Sequence, residues 1–156
     1  MDAKMADSAL AEGSYVIKVT DARTGRLKRT IGPIRNLIVK GTGTGYDLIS
    51  RALGGDPTYQ LEIDSAAIGT GSTAPANGNT GLGTPVLSGI EVALAEYPMA
   101  GQVKLSFFIT DGALANGTYN EFGIFSNGQL FARSIISPAF TKGTSENTTV
   151  EYTITF

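Results

Sequence analysis

The last nine residues constrain the fold most tightly. From Thr148 to Phe156, Val150, Tyr152, Ile154 and Phe156 alternate with Thr149, Glu151, Thr153 and Thr155. Period two, with β-branched and aromatic residues on the apolar side, specifies a strand with one buried face. Such a strand needs hydrogen-bonding partners and apolar cover, so the rest of the chain must supply a sheet. Gly13–Thr20 has the same signature, with Tyr15, Ile17 and Val19 set against Val16 and Lys18. So does Gln102–Thr110, through Val103, Leu105, Phe107 and Ile109.

Turn chemistry divides the remainder. Asp21-Ala22-Arg23-Thr24-Gly25 joins the first strand to a second over Arg26–Ile31, with Gly25 free to take positive φ. Gly32-Pro33 is expected to break that hairpin, and a short extended piece follows over Ile34–Val39. Further strands are expected over Tyr59–Ile68, Pro85–Tyr97 and Tyr119–Phe125. Asn127-Gly128, between Phe122-Gly123-Ile124 and Leu130-Phe131, is a strong two-residue hairpin signal. One helix is expected at about 44–53. Thr44 is placed to cap it, Asp47 to answer in a capping box, and Leu48, Ile49, Ala52 and Leu53 to form its apolar face. Gly54-Gly55 and Pro57 end it. The expected fold is mainly β: an antiparallel sandwich or barrel of about eight strands with one short α-helix. Residues 1–12 read as a flexible N-terminal arm and 13–156 as a single β domain. A chain of 156 residues fits one such domain.

Composition excludes much chemistry. There is no Cys and no His, which removes disulfides, thiolate metal sites and every Ser-His or Cys-His catalytic pair. Gly69-Thr70-Gly71-Ser72-Thr73-Ala74 matches a dinucleotide-binding turn. Pro75 and Ala76-Asn77-Gly78-Asn79 follow it where that turn must open a helix. Glu62, Asp64, Glu91 and Glu96 supply carboxylates for acid–base work, but no spacing pairs them as acid and base. Asp111, Asn116 and Asn120 could ligate calcium, though Asx-rich loops ordinarily satisfy their own backbone. No enzyme activity, cofactor or metal is expected. The aromatics gathered in the last third read as core, with a carbohydrate-binding surface as a subsidiary role.

Charge is unevenly placed. Through Arg51 there are nine basic and five acidic residues; beyond it there are three and nine, giving the net charge of −2. That balance argues against nucleic-acid binding by the whole chain. Nothing approaches the length of a membrane span, and the first thirteen residues have no apolar signal segment, so synthesis in a cytoplasm is expected. Lys18, Arg23, Arg26, Lys28 and Arg29 form the basic hairpin and are the candidate docking residues. They read as a basic surface for an acidic partner or polyanion, as a charged edge that deters aggregation, or as a basic half that meets the acidic half of a neighbouring subunit.

Three stretches carry a resemblance. They are Asn36-Leu37-Ile38-Val39 with Gly45-Tyr46-Asp47-Leu48-Ile49 and Gly54-Gly55; Ala67 through Ala76 with Asn79 through Val86; and Asn120-Glu121-Phe122-Gly123-Ile124-Phe125 with Gly128 through Arg133, Lys142 and the alternating end Thr149 to Phe156. In this order they resemble small structural proteins of tailed bacteriophages: tail, tail-fibre or virion proteins. The resemblance covers roughly residues 34–156. It implies a structural part of the virion, most in keeping with tail, tail fibre or baseplate, that acts by symmetric assembly. Head decoration or a head fibre is the alternative, and a host-glycan-binding module another. Other virion proteins and further copies of the chain are the expected partners, with three-fold symmetry favoured. The arm and the basic hairpin are the candidate docking elements. Thr70, Ser72, Asn77, Asn79, Asn116 and Tyr119, in two loops, are the candidate contacts with subunit or host.

Overall fold

The computed structural model describes residues 11–156. The expected arm therefore lies almost wholly outside the described residues. The fold is mainly β with one helix, and all nine strands pair antiparallel in a nearly closed, barrel-like sheet. In chain order these are β1 (Glu12–Asp21), β2 (Leu27–Arg35), β3 (Leu37–Ile38), α1 (Gly45–Leu53), β4 (Ile63–Gly69), β5 (Pro85–Glu96), β6 (Gln102–Ile109), β7 (Gly117–Ser126), β8 (Gln129–Lys142) and β9 (Glu146–Thr155). The strand order is β2-β1-β9-β6-β5-β4-β7-β8-β3. β5 carries the sheet round a corner, pairing with β4 through Glu91 and with β6 from Val92.

The alternating strands bury the faces their pattern requires. Tyr15, Ile17 and Val19 of β1 line the core with Val150, Tyr152 and Ile154 of β9 and Leu105, Phe107 and Ile109 of β6. Tyr15 stacks on Tyr152 at 5.4 Å, and Phe122 lies against Tyr15 at 5.1 Å. The aromatics of the last third are thus mainly core. Phe156 is not: its amide bonds Gly101 O, but its side chain is 65% exposed. The alternation ends one residue earlier than the sequence pattern, because β9 has no partner beyond Thr155.

Two other expectations change. Gly32-Pro33 does not end the second strand. Tyr15 pairs with Ile34 and Ile17 with Ile31, so Gly32 and Pro33 together oppose Val16 in a bulge. A bulge absorbs the missing amide of proline without breaking the ladder. In α1 the capping box is not formed. The Thr44 hydroxyl donates to Gly41 O, while Asp47 accepts from the Gly43 amide and pairs with Arg51. The buried stripe is narrow: Gly45 and Leu48 are buried, Ile49 is half-buried, and Ala52 and Leu53 face solvent. Gly45, at φ +35°, lies so close to Val39 O that a Cβ there would sit 2.0 Å from it. This contact fixes where α1 docks. Asn127 and Gly128, at φ 49° and 84°, make the expected two-residue turn between β7 and β8.

Candidate functional site

The most specific polar arrangement lies under the loop between β4 and β5. Glu121 on β7 and Arg133 on β8 are both buried, and Arg133 donates from Nε at 3.2 Å and Nη2 at 3.0 Å to Glu121 Oε1. The backbone amides of Gly71, Gly83 and Thr84 also donate to the same carboxylate, at 2.7–2.8 Å. Arg133 turns its remaining donors to Asn79 Oδ1 and Thr73 O. A carboxylate and a guanidinium together therefore hold both ends and the middle of residues 70–84. Burial opposes the Glu121 charge, but the amides of Thr84 and Gly83, the Arg133 guanidinium and the Gly71 amide hold its pKa below the usual glutamate range. Gly71 must be glycine here, because a Cβ would lie 2.4 Å from Glu121 Oε2. The Gly-x-Gly turn does meet an anion, through the Gly71 amide alone, and that anion is the chain's own glutamate.

The basic hairpin is mostly spoken for within the chain. Lys18 and Lys104 flank Glu151 at 2.7 and 3.1 Å. Lys28 and Arg29 both meet Glu146 at 2.7 Å, and Arg29 also donates to Thr141 O. Arg29 in particular holds the buried Glu146 carboxylate far below its ordinary pKa. Arg23 and Arg26 sit exposed in the turn and make no ion pair among the described residues. Asp21 shapes that turn by accepting from the Arg23 and Thr24 amides.

The three residues weighed as calcium ligands separate. Asp111 and Asn116 do converge, but on the buried ammonium of Lys142, which donates to Asp111 Oδ1 at 2.6 Å, Asn116 Oδ1 at 3.1 Å and Gly143 O at 3.1 Å. Asn120 points elsewhere, donating to Thr70 O. A side-chain cation occupies the position a metal would take. Among the described residues no group of three or more His, Cys, Asp or Glu is arranged to hold a metal ion. No helix there is long and apolar enough to cross a membrane.

Of the loop residues, Ser72 and Asn77 are exposed, and Asn77 O accepts the Lys40 and Gly41 amides. Thr70 is exposed but bridged to Thr84 and Asn120. Asn79 is tied to Ala76 and Arg133. Asn116 is tied to Lys142 and Thr144. Tyr119 is no surface contact: it is 3% exposed, packs 6.2 Å from Phe140 and donates to Ala115 O. β7 begins at Gly117, two residues earlier than the pattern indicates, so Tyr119 points inward as a strand residue.

Sequence reasoning passed over two features. The first is Glu121 and Arg133 as a hub. Counting outward from Asn127-Gly128 brings them to the same stretch of the hairpin, where Glu121 faces Ile135 and Gly123 faces Arg133. The second is a cleft of about 730 Å³ where β5 turns the corner, lined by Leu61, Ile63, Val92, Tyr97, Val103 and Leu105. Glu62, Asp64 and Glu91 also line it. Three of the four carboxylates considered for catalysis thus share one cleft, all on exposed residues. No family model, no curated protein and no solved structure matches the chain.

Proposed function

We propose that the chain is a structural component of a tailed-phage virion, most in keeping with tail, tail fibre or baseplate, which works by holding a shape and assembling symmetrically. One observation carries the reading. Three of the segments that resemble phage structural proteins (Ala67 through Ala76, Asn120 through Phe125 and Gly128 through Arg133) form a single unit in which Glu121 and Arg133 pin the loop. Their polar groups are turned on one another. Such a unit keeps a long loop rigid on the outside of a barrel, which suits a repeated contact surface. The partners in this reading are other virion proteins and further copies of the chain.

The test is gold-labelled antibody raised against the folded domain and applied to intact particles of a phage encoding it. Label at the tail or its tip is the expected result. Label over the head moves the protein to decoration or head fibre. Particles without label overturn the virion reading.

A further inference from the structure

The charges left over after internal pairing separate cleanly. Among the described residues, Lys18, Lys28, Arg29, Arg51, Lys104, Arg133 and Lys142 are all in ion pairs. The cations outside those pairs are Arg23, Arg26, Arg35 and Lys40, and they lie on or beside β1–β3. Of the carboxylates outside those pairs, Glu62, Asp64 and Glu91 line the corner cleft and Glu96 flanks it; Glu12 and Asp21 lie elsewhere.

The register fixes how these groups face. At one end of the barrel Glu12 pairs with Thr155, which pairs with Gln102 on its other side. At the other end Asp21 pairs with Glu146, beside Ile109 opposite Thr148. The Arg23–Arg26 turn projects from the second end. The cleft, with Val103, Leu105 and Tyr97, belongs to the first. The two also stand on opposite walls, since β2 and β1 are separated from β5 by β9 and β6 one way and by β3, β8, β7 and β4 the other.

We infer that the chain associates head to tail, with the Arg23–Leu27 turn of one copy seated in the acidic corner cleft of the next. Charge complementarity selects the occupant. Two guanidinium groups meet three carboxylates that have no cation partner among the described residues, Asp64 accepting only the Asn127 amide, and the Asp21 carboxylate is held on its own turn amides. The apolar parts match as well. Leu27, 53% exposed beside Arg26, meets the apolar wall of the cleft, and Tyr97, 76% exposed at its rim, offers a ring face to an arginine. The cleft volume lies within the range of about 300–1,000 Å³ typical of binding clefts. Because donor and acceptor surfaces sit at opposite ends of one chain, the contact is heterologous and generates a closed ring or an open stack, not a two-fold dimer. This inference does not rest on the virion reading.

The experiment is sedimentation of the purified chain over a concentration series, at about 50 mM and about 500 mM salt, where screening differs strongly. The expected result is reversible self-association that weakens with salt. R23E/R26E weakens it by about tenfold or more, and so does E62K/E91K. Placing all four substitutions in one chain swaps the signs and restores association, which also shows that the altered turn and cleft still fold. A wild-type chain monomeric at both salts overturns the inference. So does a charge swap that fails to restore association while its circular dichroism matches wild type.

Discussion

Arg133 shows how one residue governs a whole segment. Its guanidinium touches Glu121, Asn79 and Thr73, and with Glu121 it is the internal support of residues 70–84. Removing one member of a buried pair leaves the other charge without compensation, at about 3–5 kcal/mol. Arg133→Ala is therefore expected to lower stability by that amount in urea unfolding and to open the loop to protease near Ser72. Replacing both partners with methionine often restores the stability of a buried pair. Here it should not. The amides of Gly71, Gly83 and Thr84 would lose their acceptor, and an unpaired buried donor costs about 1–3 kcal/mol. E121M/R133M is expected to stay within about 1 kcal/mol of the single variant. Full recovery in the same urea titration would mean the loop does not depend on the carboxylate. Neither residue announces this role in the sequence. Each is a charged letter in an apolar strand, and only the hairpin register brings them together.

At the scale of elements, the legible parts were those fixed by local chemistry. β1, β6 and β9 follow from alternation, and the β7–β8 turn from Asn127-Gly128. Gly128 at φ 84° has nothing near its missing Cβ, so Gly128→Ala carries only backbone strain, about 1 kcal/mol. Gly45→Ala is different in kind. Its Cβ would meet Val39 O and the Phe131 carbonyl, both backbone atoms that cannot swing aside. The expected loss is about 2–4 kcal/mol, read as a drop in thermal midpoint that the Gly128 variant does not approach. What stayed hidden was what depends on distant partners. Leu53 completes a helical apolar pattern, yet no strand reaches it, and it is 85% exposed. Gly32-Pro33 looks like a break until β1 is present to pair around it. The corner cleft exists because β5 changes partners at Glu91 and Val92, which no local pattern encodes.

At the scale of the whole molecule, the ion pairs cross-link the barrel and make its stability depend on acid. Glu146 joins β9 to the hairpin through Arg29 and Lys28, and Glu151 joins it to β1 and β6 through Lys18 and Lys104. Asp111 is held low by Lys142 first and then by the Glu146 amide. Asp56, with Thr58 and Arg51 donating to it, falls to about 2. In each case the folded pKa lies below the unfolded value of about 4. The unfolded chain then binds more protons in the interval between, so stability is fully present above that value and drains away as pH falls through the folded pKa. Urea midpoints are expected to be flat from about pH 8 to about pH 5.5 and to fall steadily below about pH 4.5. Glu146→Gln separates this electrostatic part from packing. Its amide keeps the shape but cannot carry the charge that Arg29 and Lys28 face, so the variant starts below wild type at neutral pH and declines less in acid. The two curves should draw together as pH falls towards 2, because the unfolded wild-type chain then binds a proton at Glu146 that the folded chain, with its carboxylate held by Arg29 and Lys28, does not. Parallel curves down to that pH would mean that Glu146 contributes through packing and hydrogen bonds to Gly143, not through its ion pairs.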